Sequence, residues 1–194
     1  MQQLVSRFPI AESGKVLRVS NIAATFAIGA AFCMLALGCI AITRYDGPIA
    51  TIWIPNAVVA AFLLHSSQDR PNPLLWIGIF AGSAGANFLA EFPLHHTFLF
   101  ALANVVEIAI AVHLSRHWCG GRPKMDNVNH LARFILASGV IASTSSGVIA
   151  MIAMGMDAGF AFTSWLSWFL TDALGMIIIV PIILLGFDAL RGRG

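Results

Sequence analysis

Charge is what this chain has least of. Of 194 residues only 10% are charged, against about 25% in an ordinary soluble domain. The few charges also cluster, leaving long apolar stretches between them, and 58% of the chain is hydrophobic. A water-soluble globular domain is therefore excluded in favour of a polytopic membrane protein. Cysteine is scarce too. Cys33 and Cys39 lie inside the first apolar stretch and Cys119 follows the fourth, a pattern of free, buried thiols rather than a disulfide framework. There is no cleavable leader pattern, because the first apolar stretch is long enough to span and stay. Also missing are a Gly-rich phosphate loop, a Walker-type lysine and a basic–aromatic stripe, so the net charge of +2 points to no nucleic-acid partner. No serine elbow or zinc motif marks a catalytic centre, and the sequence leaves the cofactor unknown. His113 and His117, spaced i, i+4 with Cys119 beyond, lack a fourth metal ligand and read as helix-end residues. His95 and His96 read as solvated loop residues beside Glu91.

What is present is six apolar stretches, at about 21–42, 49–66, 73–90, 97–116, 131–154 and 160–187. Each approaches the ~20 residues that a helix needs to cross a bilayer core. No alternating strands of β-barrel type occur. The expected fold is all-α: one integral-membrane domain over residues 1–194, built as a bundle of about six transmembrane helices. The bases give its orientation. Ten of the eleven Lys and Arg residues fall in one set of flanks: Arg7, Lys15, Arg18, Arg70, Arg116, Arg122, Lys124, Arg133, Arg191 and Arg193. Arg44, beside Asp46, stands alone in the other. By the positive-inside rule both termini face the cytoplasm. Gly120, Gly121 and Pro123 should end the fourth helix.

Small residues recur every four positions in span three (Gly78, Gly82, Ala86), in span five (Gly139, Ser143, Gly147; Ala142, Ser146, Ala150) and in span one (Ala23, Ala27, Ala31). This spacing lets helix backbones approach closely and predicts a compact bundle.

The stretch TIWIPNAVVAAFLL, residues 51–64, places Pro55 beside Asn56 in an apolar run. Proline suits the first turn of a helix and disfavours helix before it, so a helix either starts at Pro55 or is kinked there. From Pro55 to Ser66 is about 18 Å of helix, too short to cross alone. The chain before it must complete the crossing as irregular backbone, which protein or a wet cavity has to satisfy. The alternative is an ordinary interfacial kink with Trp53 as anchor.

Two acids lie deep in spans: Glu107 and Asp172. Each costs roughly 2.5–3.5 kcal/mol at a helix centre, and no Lys or Arg lies at similar depth. They are therefore protonated, bonded to asparagines, hydrated, or facing a cation. Asn104 shares a helix face with Glu107, and Trp168 and Gly175 share one with Asp172. We expect a polar cavity lined by Trp53, Asn56, Asn87, Asn104, Glu107, Trp168 and Asp172. The competing reading is an interhelical network that only holds the bundle. The serines from Ser143 to Ser146 either bond back to their own helix or line that cavity.

At these residues the chain resembles a known family, the membrane-associated sensor domain of the first type. The W-x-P-N of Trp53, Pro55 and Asn56, the G-x-x-x-x-N of Gly82 and Asn87, the N-x-x-E of Asn104 and Glu107, and the W-x-x-x-D-x-x-G with following proline (Trp168, Asp172, Gly175, Pro181) occur in that family's order across about residues 20–187. The resemblance implies a sensor of an unidentified stimulus in the bacterial inner membrane. It also implies a cytoplasmic output partner, such as a histidine kinase, diguanylate cyclase or phosphodiesterase, for which a homodimer would suit. Its members usually run longer, with about eight spans. An alternative class is the substrate-binding membrane subunit of an energy-coupling-factor transporter, in which Ala23, Ala27 and Ala31 would dock a membrane partner.

Overall fold

A computed structural model describes residues 10–43, 50–66, 72–155 and 158–192, with side chains described from Asn21 onward apart from residues 158–160. Arg7, Arg44, Asp46, Arg70 and Arg193 lie outside the described residues, and the side chains of Lys15 and Arg18 are not described.

Six helices follow one another: α1 (Ile10–Thr43), α2 (Pro55–His65), α3 (Pro73–Leu89), α4 (Leu94–Cys119), α5 (Val128–Met154) and α6 (Ala158–Arg191). No strand occurs among the described residues. α4, α5, α6 and the Asn21–Thr43 part of α1 are long and apolar enough to cross a membrane, while α2 and α3 are shorter. The chain is a multi-pass membrane protein.

Local chemistry sets the helix ends. α2 begins at Pro55 itself, so the proline starts a helix rather than kinking one. Residues 52–54 lead into it without regular structure. Asn72 caps α3 by accepting from the Leu74 amide at 3.0 Å, with Pro73 in the first turn. Asn127 caps α5 in the same way through Asn129 and His130. Gly120 ends α4 at φ 68°, a left-handed conformation in which a glycine carries no Cβ penalty. Within α5, residues Ile135–Ala142 form a π-helix, a wider turn often found at functional sites. α6 stays helical through Pro181.

Packing runs as a ring: α1 on α3, α3 on α4, α4 on α5, α5 on α6, α6 on α2, and α2 back on α1 and α4. Short α2 is thus an inner helix, and eight of its eleven residues are buried. Span three's G-x-x-x-G does bring backbones together. A Cβ on Gly78 would lie 2.5 Å from the Thr25 carbonyl, and one on Gly82 would overlap the Gly29 carbonyl. On α1 the close approach is therefore made at Gly29. Ala23, Ala27 and Ala31 are exposed, and Ala27 and Ala31 line an apolar groove between α1 and α2. Sequence periodicity marked the wrong small residues on that helix because Gly29 has no partner at four-residue spacing within it.

One end of the bundle collects the described bases, and several of them close helix ends. Arg116 donates to the Leu63 and Ser66 carbonyls at the end of α2, at 2.5 and 2.9 Å. Arg133 donates to the Trp118 carbonyl at the end of α4, at 2.6 Å. Arg122 reaches the Leu184 carbonyl of α6 and pairs with Asp188 at 2.8 Å. Cations there also oppose the negative pole of those helix dipoles. The opposite end, holding the start of α2 and the α3–α4 turn, carries no Lys or Arg among the described residues.

Candidate functional site

Five of the seven expected residues meet in one buried chain of hydrogen bonds. Asn56, one residue into α2, donates its amide to Asn104 Oδ1 at 2.9 Å and to Glu107 Oε2. The i, i+3 spacing on α4 places both acceptors on the face that α2 covers. Asn104 in turn donates to Ser83 Oγ of α3 at 2.9 Å. The other oxygen of Glu107 accepts from Ser143 Oγ of α5 at 2.7 Å. Asp172 of α6 is reached through the α5 serines, since Ser146 lies against both the Ser143 carbonyl and Asp172. Ser146 Oγ lies 3.4 Å from Asp172 Oδ2 and accepts from Trp168 Nε1 at 3.2 Å. Asn104 and Glu107 are fully buried, and Asn56 and Asp172 nearly so. No Lys or Arg side chain hydrogen-bonds into the network among the described residues.

Trp53 and Asn87 stand outside that chain. They line a cavity with Asn104, Trp168, Asp172, Phe92 and Phe100. The cavity lies toward the base-free end and measures about 30 Å³. A single water needs roughly 10–15 Å³, so it holds two or three waters or a molecule of a few non-hydrogen atoms. Trp53 Nε1 and Asn87 Nδ2 are buried donors without a protein partner, and Asn56 Oδ1 is a buried acceptor without one. Buried polar groups are normally paired, so three orphans within one site are unusual.

The motif glycine explains how α2 reaches this place. A Cβ on Gly175 would overlap the Trp53 carbonyl oxygen. Only glycine lets α6 accept the irregular backbone before Pro55, which brings Asn56 to Glu107 and Trp53 to the cavity. The W-x-P-N and D-x-x-G segments are thus the two sides of one contact.

Sequence reasoning missed Ser83, and it left Ser143 and Ser146 undecided. Ser143 and Ser146 do not line the cavity; each hydroxyl instead lies within reach of an acid of the network and of a carbonyl of its own helix. Ser143 Oγ also lies 3.1 Å from the Ser138 carbonyl and Ser146 Oγ 3.1 Å from the Ser143 carbonyl. Ser145 turns back to the Ile141 carbonyl at 2.8 Å. A usable signal existed: Ser83 lies four residues before Asn87, on the same helix face. Away from the site, the His113 and His117 rings stack at 6.4 Å, and Cys119 Sγ faces the His130 carbonyl. His96 is not a free loop residue. It sits in the first turn of α4, against the Ala153 carbonyl at 3.1 Å, and stacks on Phe100.

The family model MASE1 matches residues 24–193. Comparison with curated proteins and with solved structures finds no match.

Proposed function

From the chain's membership of the MASE1 family of membrane-associated sensor domains, we propose that the buried network and its cavity form the sensory site. The site detects a small molecule or membrane-linked stimulus and passes it to a cytoplasmic signalling output such as a histidine kinase, diguanylate cyclase or phosphodiesterase. One observation carries this reading: the motif residues of α2, α4 and α6 converge on one buried hydrogen-bonded cluster, and that of α3 lines a cavity beside it. Energetics favour a site over structural glue. Two buried acids cost roughly 5–7 kcal/mol together by insertion scales, whereas interhelical hydrogen bonds return about 0.6 kcal/mol each.

The chain lies in the bacterial inner membrane with its basic end toward the cytoplasm, which puts the cavity on the outer side. A displacement at the site has a direct route inward. The segment that leads into α2 touches α6 at one end, Trp53 against Gly175. At the other end the His65 and Phe187 rings pack at a tilt, with centroids 4.1 Å apart. α6 continues from Asp172 to Arg191, toward the output. The transporter reading has the exposed alanines of α1 in its favour and the family match against it.

The test joins the chain to a diguanylate cyclase output in cells and measures cyclic-di-GMP. Asp172→Asn should change the basal output, while Gly186→Ala, which meets open space, should not. Equal outputs from both variants at equal expression would remove the sensory role.

A further inference from the structure

We propose that the outer cavity binds a small organic ammonium ion that also carries an oxygen acceptor. This rests on the sensory reading of the same site. Three features of the cavity define the chemistry. Its floor is the Asp172 carboxyl, and no Lys or Arg is among the described residues that line the cavity. This floor accepts positive charge and repels an anion. The walls are aromatic, with Trp53, Trp168, Phe92 and Phe100, and aromatic faces attract an ammonium group that has left water. Finally, Trp53 and Asn87 line the cavity, 9% and 3% exposed, and each holds an N–H donor with no protein acceptor. Those donors call for an oxygen on the ligand, since an unpaired buried donor costs more than a paired one returns. The cavity's size of about 30 Å³ restricts the ligand to a few non-hydrogen atoms. The ammonium end then faces Asp172 and the oxygen end faces Trp53 and Asn87. An amino alcohol has this form, and so does the exposed tip of an ethanolamine lipid headgroup, so the shared chemistry is the hydrogen-bonding ammonium with a nearby oxygen.

The probe is ethanolamine, titrated calorimetrically into the purified chain in phosphatidylcholine nanodiscs. Ethylamine, without the oxygen, and ethylene glycol, without the ammonium, complete the set. Ethanolamine should bind saturably, and ethylene glycol should not bind. Ethylamine should be weaker by about tenfold, the size of two neutral hydrogen bonds. Trp53→Phe removes one donor and keeps the ring. It should weaken ethanolamine about fivefold and leave ethylamine unchanged. Asp172→Asn should abolish both. A second arm adds phosphatidylethanolamine to the discs. If the lipid is the source, it raises the unfolding temperature of wild type more than that of Trp53→Phe and competes with added ethanolamine. If a free amine is the source, the lipid changes neither. The inference is overturned if neither ethanolamine nor the lipid binds, or if Trp53→Phe weakens ethanolamine and ethylamine equally. A cyclic-di-GMP response to Asp172→Asn without amine binding would leave the sensory reading standing and remove this ligand class alone.

Discussion

Replacing Gly175 by alanine tests the contact that seats the site. The added methyl would overlap the Trp53 carbonyl oxygen, which is backbone and has no rotamer to escape into. Overpacking of this kind costs about 1–3 kcal/mol. Alanine also gains up to about 1 kcal/mol over glycine in a helix, which would mask part of that cost. Gly186→Ala removes the ambiguity. It lies in the same helix, and its Cβ would meet nothing within 4 Å. The propensity gain is common to both, so the difference between the two variants is the steric cost itself. Equilibrium unfolding in mixed micelles should place Gly175→Ala below Gly186→Ala by about 1–3 kcal/mol, fivefold or more in the unfolding constant. Equal stabilities would mean that α2 does not approach α6 as described, and the reasoning about the W-x-P-N and D-x-x-G segments would fail with it.

The serines of α5 divide by what they face. Ser143→Ala strips the donor from Glu107 Oε1 and should cost about 1–3 kcal/mol. Ser145→Ala removes only a bond back to its own helix and should stay within about 0.5 kcal/mol in the same unfolding assay. Arg116→Ala uncovers the Leu63 and Ser66 carbonyls and should speed amide exchange in the last turn of α2 while sparing α3, as read by hydrogen-exchange mass spectrometry. Asp188→Asn breaks a partly exposed ion pair and should change stability by no more than about 1 kcal/mol, less at high salt.

Much of the fold was legible because the bilayer narrows the choices. Apolar length located all six helices, Gly120 and Gly121 marked the end of α4, and Pro55 marked either a start or a kink, of which the structure has the start. The acids stood out in the sequence because their cost is high and no base shares their depth, and both lie in the buried hydrogen-bonded cluster. What periodicity could not show was pairing between helices. Gly29 matters because Gly78 and Gly82 face it, and Gly175 because a carbonyl on another helix occupies the space beside it. The π-helix in α5, next to Ser143, left no mark in the spacing of apolar residues, since its sequence, ILASGVIA, is apolar on nearly every side. The bases were read as orientation signals, and several also close the ends of α2 and α4. That second role depends on which carbonyls lie within reach, which only the packed structure specifies.

The account rests on Asn56 and Glu107 acting as one buried unit across two helices. The direct measurement is a double-mutant cycle on unfolding free energy with Asn56→Ala, Glu107→Ala and both together. Coupling of about 0.6–1.7 kcal/mol, the range found for hydrogen bonds between membrane helices, is the predicted result. Effects that add to within about 0.3–0.5 kcal/mol would mean that the two side chains do not meet, and the site as described would not exist.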